Sequence, residues 1–499
     1  MKFKSFLAKP FASYIYRSIR KEISSALEDQ ENIFKSLVKT GSKTVFGREH
    51  HLETVKTYEE FKAAIPVRDY EQFKPYIDQI KQGKHNVLWP GQPIYFAKTS
   101  GTTSGIKYIP ISKDSISNHI NTARNALLCY MAETGNSGFA NGKMIFLSGS
   151  PELERMANIP TGRLSGIVNH HIPHYLRTNQ LPSYETNCIE EWETKLDKIV
   201  EETINQNMTL ISGIPPWMQM YFDRLNQISG KRIGELFPNF SVLVHGGVNF
   251  EPYAARLMDS IGKTVDTIET YPASEGFFAF QDSRKEEGLL LNTNSGIFFE
   301  FIPADEIFNE NPTRISLKDV KTGVNYALII NNNAGLWGYN IGDTIRFVTV
   351  DPFRIMVTGR IKHFISAFGE HVIGEEVEYS LMKAAKEEGI QINEFTVAPY
   401  IMDGREEGKS FHEWFVEFEN KPADMRAFAK KVDSNLREKN IYYDDLISGN
   451  ILQPLQIHPV KKNGFIDYMK SIGKLGGQNK VPRLSNDRSF AEPLEKYVD

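Results

Sequence analysis

Residues 209–213 read TLISG, an apolar run that ends in two small residues. Residues 144–149 (MIFLSG) and 242–247 (VLVHGG) repeat this pattern, and helix-like stretches lie between the runs at 187–204 and 216–228. Short, nearly continuous apolar strands separated by helices are typical of a parallel sheet that is covered on both faces. Ligands of such α/β sheets bind at the carboxyl ends of the strands. We therefore predict a parallel α/β sheet in this part of the chain, with a binding site at that edge.

The sequence on either side of these strands has a different texture. Residues 1 to about 90 are helical in pattern, whereas residues 288–358 are rich in strands and predict a smaller β subdomain. A joint follows at Gly359-Arg360, after which helical and strand-like stretches alternate as in a compact α+β domain. The predicted fold class is therefore α/β. A large N-terminal domain with parallel sheets and a β subdomain occupies 1–362, and a small α+β C-terminal domain occupies 363–499.

The composition excludes several classes of protein. The chain has 499 residues, of which 40% are hydrophobic and 24% charged, and this length is sufficient for two or three domains. Its formal net charge is -4 and it has no long run of Lys or Arg, so the basic footprint of a nucleic-acid-binding protein is missing. Its two cysteines, Cys129 and Cys188, exclude a disulfide-stapled secreted scaffold and fit a reducing compartment. We predict a cytoplasmic protein that binds no nucleic acid.

The N-terminal segment is basic and partly apolar. Five apolar residues recur every four positions with charged residues between them, which predicts one stripe of an amphipathic helix: Phe11, Ile15, Ile19, Ile23 and Leu27. A signal peptide would need an unbroken apolar stretch, and no window of the chain reaches the length of a membrane span. We predict a helix that packs on the protein and no stable membrane insertion, with contact to a membrane surface as the alternative.

The strongest local signal is a polar loop at residues 99–107, TSGTTSGIK, directly after the apolar residues 94–96. Its backbone N–H groups and hydroxyls suit phosphate oxygens, because glycine allows close approach of the backbone, and Lys107 would add a positive charge. The spacing is not that of a Walker A loop, and a G-x-G-x-x-G pattern is missing. The alternative is a flexible polar loop. The candidate phosphate-binding residues are Ser100, Gly101, Thr102, Thr103, Ser104, Gly105 and Lys107.

A second motif, TYPASEG, occupies residues 270–276. Here Tyr271 could stack on a base, Ser274 could touch a phosphate, and Glu275 could bind a magnesium ion. A single Glu suffices for that ion, because Mg2+ takes one or two carboxylates together with phosphate oxygens. The alternative is that a Tyr and a Glu near a strand end are structural.

A third motif, YNIGD, occupies residues 339–343, and Arg360 follows after a hairpin-like stretch. The carboxylate of Asp343, fixed beside a glycine turn, is suited to accept hydrogen bonds from both hydroxyls of a ribose. Arg360 could donate to the same sugar or to a phosphate. The alternative is a hairpin turn with a surface Asp.

A fourth motif, GGQNKVPR, occupies residues 476–483. A glycine-rich turn presents Lys480 near the end of a domain that we expect to be mobile. The ammonium group could stabilise negative charge that develops between a carboxylate and an α-phosphate. The alternative is an ordinary solvated lysine.

The four motifs occur in the order of one known pattern. The sequence resembles the adenylate-forming superfamily, which includes acyl-CoA synthetases and firefly luciferase. More closely, it resembles the Gretchen Hagen family of acyl-acid amido synthetases, an auxin-responsive family. Residues 100–105 resemble that family's phosphate loop, residues 271–275 its Tyr-x-x-Ser-Glu motif and residues 339–343 its Tyr-x-x-Gly-Asp motif. The resemblance extends from about residue 30 to about residue 485.

The resemblance implies a role for each candidate residue. Tyr271 would face the adenine of ATP, Asp343 would bind the ribose, and residues 100–104 would hold the phosphates. Glu275 would bind Mg2+, and Lys480 would reach the α-phosphate when the C-terminal domain closes. Many superfamily members carry an acidic residue shortly after the Gly-Arg pair, but this chain reads RIKH at 360–363. The hinge is therefore assigned only to the range 359–370.

The implied function is that of an ATP-dependent ligase. A small carboxylic acid would be adenylated to acyl-AMP with release of pyrophosphate, and the acyl group would pass to an amine, with an amino acid as the expected acceptor. Catalysis would depend on positioning and on stabilisation of charge at the α-phosphate. Two alternatives remain, namely a coenzyme A or carrier-protein thiol as the acceptor, and a nucleotide-binding regulatory protein without catalysis.

Overall fold

The computed structural model describes residues 2–100, 106–172, 178–361, 364–365, 370, 372–401, 410–448, 452–476, 480–485 and 487–499. The chain forms two compact units. The first comprises Met1–Val248 and Ile261–Met356, and the second comprises Asn249–Ser260 and Val357–Asp499. The predicted division into domains 1–362 and 363–499 stays a prediction, and it does not include the contribution of 249–260 to the second unit.

The chain begins with helices, and strands predominate between residues 266 and 373. The helices are α1 (Lys2–Ser24), α2 (Ala26–Gly41), α3 (Val45–Glu49), α4 (Tyr58–Ala64), α5 (Tyr70–Lys81), α6 (Ile116–Thr134), α7 (Leu164–His170), α8 (Tyr184–Cys188), α9 (Trp192–Thr203), α10 (Pro215–Ser229), α11 (Ile233–Leu236), α12 (Glu251–Ile261), α13 (Gly374–Glu388), α14 (Met425–Lys439), α15 (Ile441–Ser448), α16 (Gly464–Ser471) and α17 (Ala491–Leu494). The strands are β1 (Tyr95–Ser100), β2 (Ile106–Ile111), β3 (Lys143–Phe146), β4 (Glu154–Met156), β5 (Ile159–Arg163), β6 (Gln180–Leu181), β7 (Met208–Gly213), β8 (Val242–Gly246), β9 (Asp266–Ala273), β10 (Gly276–Phe280), β11 (Leu289–Leu291), β12 (Ile297–Pro303), β13 (Ile315–Ser316), β14 (Asn325–Asn332), β15 (Tyr339–Val350), β16 (Phe353–Arg360), β17 (Phe364–Ile365), β18 (Val372–Ile373), β19 (Ile392–Tyr400), β20 (Phe411–Phe418) and β21 (Gln456–Val460).

Four of the five residues of the N-terminal stripe lie in the long helix α1, and the fifth, Leu27, lies in α2. Ala12 and Ile19 are buried in an apolar cluster that includes Cys129 of α6, whereas Phe11 and Leu27 at the ends of the predicted stripe are 45% and 49% exposed. The helix therefore packs on the protein, along a narrower stripe than the sequence predicts. No helix in the described part of the chain is long and apolar enough to cross a membrane.

The apolar runs form the parallel part of the largest sheet, which has twelve strands among the described residues. Strands β3, β7, β8 and β9 are parallel neighbours. Leu210 and Ile211 are consecutive and both are fully buried. Successive side chains of a strand point to opposite faces, so both faces of this sheet are covered. The predicted parallel α/β sheet is confirmed.

The strands between residues 289 and 360 continue the same sheet. Strand β10 pairs antiparallel with β9, and the order then runs through β11, β16, β15, β14 and β12 to β13. The expected smaller β subdomain is thus hydrogen-bonded to the parallel strands rather than separate from them. Strand periodicity could not have indicated this, because it gives the direction in which a side chain points and not the sheet to which a strand belongs.

A buried ion pair links β12 to the segment before β13. Glu300 is fully buried and accepts hydrogen bonds from Arg314 through Nε at 2.6 Å and Nη2 at 2.5 Å. Its carboxylate also accepts from the amide of Asn331 at 2.6 Å and from the hydroxyl of Tyr58 at 2.9 Å. Each carboxylate oxygen therefore has two donors, which offsets the free energy needed to remove the charge from water.

We expect Glu300→Gln to destabilise the first unit by about 3 kcal/mol, because removing one member of a buried pair leaves the other charge without compensation. Chemical denaturation followed by tryptophan fluorescence measures this change. The control is Glu31→Gln, since Glu31 forms an exposed pair with Lys35 in α2 and its loss should leave the denaturation midpoint unchanged. Equal midpoints for Glu300→Gln and the unmodified protein would contradict the assignment.

The second unit is built around a three-stranded sheet in the order β19-β20-β21. Strand β19 is antiparallel to β20, and β21 is parallel to it. Helices α13 and α14 pack together, and their apolar faces share one core with this sheet. Residues 249–260 belong to this unit, since Tyr253 donates a hydrogen bond to Glu394 at 2.8 Å and Arg256 donates one to Asn393 at 2.5 Å.

Candidate functional site

A β-hairpin flanks the candidate phosphate loop. Strands β1 and β2 pair antiparallel from Tyr95↔Ile111 to Ser100↔Ile106. Residues 101–105 connect them and, like the side chain of Ser100, lie outside the described residues. The predicted phosphate contacts of Ser100, Gly101, Thr102, Thr103, Ser104 and Gly105 therefore stay predictions.

Lys107 lies within strand β2, and its predicted position in the loop is wrong. Its ammonium is 5.6 Å from the centroid of the Tyr70 ring. The Tyr70 hydroxyl accepts a hydrogen bond from the N–H of Tyr108 at 2.9 Å, and burial raises the pKa of this hydroxyl to about 12. The apolar residues of the strand explain the difference, since Ile109 and Ile111 are buried and draw the chain into the sheet directly after residue 105.

The segment before α5 pairs with the start of β15. The N–H of Arg68 donates to the carbonyl of Gly338 at 2.8 Å, and the N–H of Asn340 donates to the carbonyl of Arg68 at 2.8 Å. Tyr70, which contacts Lys107, follows two residues later. The structure therefore connects the YNIGD motif to the strand that carries Lys107, through a segment more than 250 positions away in sequence.

Tyr271 and Asp343 are in direct contact. The Tyr271 hydroxyl donates a hydrogen bond to Oδ2 of Asp343 at 2.7 Å, and the Tyr271 ring packs edge-on against Phe278 with 5.2 Å between centroids. Tyr271 is buried near the carboxyl end of β9, the edge at which the sequence predicts ligand binding. Two candidate residues that the sequence separates by 72 positions thus form one polar group.

Asp343 lies in a β-bulge, whereas the sequence predicted a glycine turn. Thr344 pairs with Ala327 and Asn340 pairs with Ile329, so three residues of β15 oppose Leu328 alone. Gly342 has a φ of +87°, a conformation that favours glycine. Bulges bend a strand and redirect its side chains, which explains how Asp343 leaves the regular alternation of β15.

Glu275 lies in the turn between β9 and β10, directly after the buried Ser274. Its carbonyl accepts a hydrogen bond from the Asn332 amide at 2.8 Å, and its carboxylate is 3.4 Å from the hydroxyl of Tyr339. Burial, and then the Glu275 charge, raise the pKa of Tyr339 well above its ordinary value. The Tyr339 hydroxyl therefore stays protonated and can donate to this carboxylate.

Asn332 supports the turn that carries Glu275, and none of the four motifs includes it. Its side-chain oxygen accepts from the N–H groups of Ala334 and Leu336, both at 3.0 Å, while its amide holds the Glu275 carbonyl. A signal was present, because the run NNNAG at 331–335 combines turn-forming amides with a glycine shortly before the third motif.

Lys480 and Arg360 belong to the second unit. Arg360 ends strand β16, and Lys480 is exposed. The chain directly after Lys480 is fixed along β19: the Thr396 hydroxyl donates to the carbonyl of Pro482 at 2.7 Å, and the N–H of Val397 donates to the carbonyl of Arg483 at 3.0 Å.

The side chain of Arg483 is the centre of a buried polar cluster in this unit. Its guanidinium donates to Glu394, and to the Tyr253 hydroxyl at 2.5 Å, while its Nε lies 3.2 Å from Glu378. Burial alone would lower the pKa of Arg483, but Glu394, Tyr253 and Glu378 raise it above its ordinary value. The guanidinium also lies over the ring of Phe395, 4.4 Å from its centroid. Arg483 therefore anchors the segment that begins at Lys480.

Comparison with protein families assigns all three parts of the chain to the same family. The GH3 family N-terminal domain matches residues 15–182 and 158–265. The GH3 family central domain matches residues 290–360, and the GH3 family C-terminal domain matches residues 375–489.

Individual proteins agree with this assignment. The jasmonoyl–L-amino acid synthetase JAR4 of Nicotiana attenuata is 21% identical over 64% of this chain and 66% of its own length. The indole-3-acetic acid-amido synthetase GH3.3 of Arabidopsis thaliana is 21% identical over 94% of this chain and 91% of its own.

Two solved structures show the same fold at low sequence identity. The acyl acid amido synthetase AtGH3.15 in complex with 2,4-DB has a TM-score of 0.79 at 16% identity, over 97% of this chain and 96% of its own. A 2-hydroxyisobutyryl-CoA ligase in complex with 2-HIB-AMP has a TM-score of 0.59 at 12% identity, over 94% and 92% of the two chains. The fold is thus shared with adenylate-forming ligases, and the matched domains establish that this chain belongs to the GH3 family.

Proposed function

We propose that the protein is an ATP-dependent acyl-acid amido synthetase of the cytoplasm, which adenylates a small carboxylic acid and transfers the acyl group to an amine, with an amino acid as the expected acceptor. The observation that carries this proposal is the hydrogen bond between Tyr271 and Asp343. Tyr271 shares a motif with Glu275 and lies near the carboxyl end of β9, a strand of the parallel sheet. The names of the GH3 relatives, which are amido synthetases of indole-3-acetic and jasmonic acids, support it.

The side chains fit a magnesium-bound nucleotide. Asp343 would accept hydrogen bonds from the ribose hydroxyls, and the Tyr271 ring would contact the base. Glu275 would hold Mg2+ together with phosphate oxygens, and the ion would neutralise part of the phosphate charge. Ser274, Lys107, Arg360 and residues 100–105 would supply donors to the phosphates or the sugar.

The reaction then proceeds in two substitutions. An oxygen of the carboxylate forms a bond to the α-phosphorus of ATP, the bond from that phosphorus to the bridging oxygen breaks, and pyrophosphate leaves. The amine nitrogen next bonds to the acyl carbon, AMP leaves with the electrons of the anhydride bond, and the amine loses a proton. Lys480 would stabilise the negative charge that builds up at the α-phosphate in the first step.

The test is pyrophosphate release from Mg-ATP over a panel of carboxylic acids, each with and without a mixture of amino acids. Acid-dependent release with an amide product, identified by mass spectrometry, supports the proposal. A thioester formed with coenzyme A, and no amide, would replace it with the acyl-CoA ligase alternative. ATP binding without release for any acid would favour a nucleotide-binding regulatory protein.

We expect Asp343→Asn to raise the Kd for ATP about tenfold, because a hydrogen bond to a charged acceptor contributes about 1.5–3 kcal/mol. Calorimetric titration with ATP measures this change. Tyr271→Phe is the matched control, since it removes the hydroxyl that contacts Asp343 and keeps the carboxylate, so its effect should be smaller. An unchanged Kd in Asp343→Asn would remove this residue from the ribose site.

A further inference from the structure

Two cations lie at the carboxyl end of β3, within the first unit. Lys195 of α9 is 3% exposed, and its ammonium donates hydrogen bonds to the carbonyls of Ser148 at 2.9 Å and Asn187 at 2.8 Å. Arg163 ends strand β5 and is partly buried. Its side chain crosses Gly149, where a Cβ would lie 2.5 Å from Cδ of Arg163. Both cations therefore approach consecutive residues, 148 and 149, directly after β3.

Among the residues that the structure describes, no carboxylate forms an ion pair with Arg163 or Lys195. Burial lowers the pKa of Lys195 to about 8, the Cys188 thiol opposes this shift, and the Arg163 charge adds to it. Burial also lowers the pKa of Arg163. Removing a cation from water without a counter-ion is unfavourable, so the pair is suited to gain an anion.

The neighbouring strand shows the contrast. Lys98 of β1 pairs with Arg163 across the β1–β5 ladder, and its ammonium forms an ion pair with Glu154 at 2.5 Å. Lys98 therefore has a carboxylate partner, whereas no residue in the described part of the chain supplies one for Arg163. Strand β1 continues to Ser100, two residues after Lys98, where it pairs with β2, so Arg163 lies beside the hairpin of the candidate phosphate loop.

The residues at the carboxyl ends of β3 and β7 are small and closely packed. The N–H of Leu147 donates to the carbonyl of Ser212 at 2.8 Å, so β3 and β7 remain paired up to their small terminal residues. A Cβ on Gly213 would lie 3.0 Å from Cβ of Leu147, and Gly149 has no side chain either. Ligands of α/β sheets bind outside the carboxyl ends of the strands, which is the edge at which Arg163 and Lys195 lie.

We propose that Arg163 and Lys195 bind a substrate carboxylate other than the carboxylate that is adenylated. This inference rests on the proposed function, since it assigns a substrate group to the same enzyme. The planar guanidinium matches a carboxylate through two parallel hydrogen bonds, whereas the activated carboxylate must keep an oxygen available for the α-phosphorus. Two sources supply this chemistry, a second carboxylate on the acyl acid or the α-carboxylate of the amino-acid acceptor.

Calorimetric titration of the full-length protein distinguishes the two sources. The probes are terephthalate with its monomethyl ester, and alanine with alaninamide, so that each pair differs by one negative charge. We expect the charged member of one pair to bind about tenfold or more tightly than its neutral partner, as for hydrogen bonds to charged groups. Arg163→Met and Lys195→Met should each reduce that difference, and Arg163→Lys should restore part of it. The pair that responds identifies the source.

Arg155→Met is the matched control, because Arg155 is exposed on the neighbouring strand β4 and should leave the binding of all four probes unchanged. Thermal melting verifies that each variant folds. The inference is overturned if both members of each pair bind alike or not at all, or if Arg163→Met weakens charged and neutral probes equally. It is also overturned if Arg163→Met weakens ATP binding instead, which would assign the cation to the phosphates. Titration requires no turnover, so anion binding without acid-dependent pyrophosphate release would contradict only the proposed function.

Discussion

Lys480→Ala is expected to lower the rate of acid-dependent pyrophosphate release about 100- to 1000-fold, the usual result of removing one group that stabilises transition-state charge. The Kd for ATP should change little, because in the proposed mechanism Lys480 acts on charge that develops during the reaction. Single-turnover measurement of pyrophosphate release, together with calorimetric titration of ATP, separates the two quantities. A loss in kcat at constant ATP affinity is therefore the expected result.

Lys474→Ala provides the comparison, since Lys474 is an exposed lysine shortly before the motif at 476–483 and carries no proposed role. Its pyrophosphate release should equal that of the unmodified protein. If Lys480→Ala kept the full rate of adenylation, the assignment of Lys480 to the α-phosphate would be wrong. A loss confined to the amide-forming step would likewise move Lys480 from the first half-reaction to the second.

Arg483→Met is expected to destabilise the second unit by about 3–5 kcal/mol, the usual effect of removing one member of a buried charge cluster. The side chains of Arg483, Glu378 and Glu394 are 14%, 10% and 13% exposed, so solvent compensates little of the lost charge. The guanidinium is also the side-chain anchor of the segment after Lys480. Pyrophosphate release should therefore fall as well, through kcat rather than through the KM for ATP.

The loss of stability in Arg483→Met should depend on pH. Burial raises the pKa of Glu378 in the folded protein, and Arg483 counteracts this shift. Without the guanidinium the folded-state pKa rises further, so the folded form binds more protons than the unfolded form above the unfolded pKa of about 4.3. Stability then falls as pH rises through this window. We expect a larger difference between variant and unmodified protein at pH 8 than at pH 5.

Urea denaturation at both pH values tests this expectation. Arg426→Met is the control, since Arg426 is exposed in α14 and its removal should leave the midpoint unchanged at either pH. Arg483→Lys should recover only part of the stability, because one ammonium cannot reproduce a planar group that contacts two carboxylates and a tyrosine. A loss that is the same at pH 5 and pH 8 would contradict the role assigned to Glu378.

The parallel sheet could be predicted because its strands are short, nearly continuous apolar runs in the sequence. Leu210 and Ile211 are consecutive and fully buried, as expected for a strand that is covered on both faces. Among the site residues, Tyr271 and Asp343 could be proposed because each lies in a short motif that contains a glycine, and the motifs follow a known order. Their hydrogen bond could not be predicted, since it depends on the bulge at Gly342 and on the pairing of strands far apart in sequence.

The structural positions of Arg163 and Lys107 could not be predicted from the residues around them in sequence. Arg163 is an ordinary arginine in the sequence, and its partial burial arises only when β5 pairs with β1. Lys107 was assigned to a loop because glycines precede it, but the buried isoleucines that follow it extend the strand. Local propensity was in these cases overridden by tertiary pairing, which no single window of sequence contains.

The membership of residues 249–260 in the second unit has a consequence for protein engineering. Asn249 and Tyr253 supply hydrogen bonds to Glu378 and Glu394, so an isolated fragment that starts at residue 357 would present two buried carboxylates with fewer donors. A graft that exchanges C-terminal domains between family members through a single crossover would separate this helix from its partners. A graft with two crossovers, one that transplants 249–260 together with 357–499, keeps the cluster around Arg483 intact.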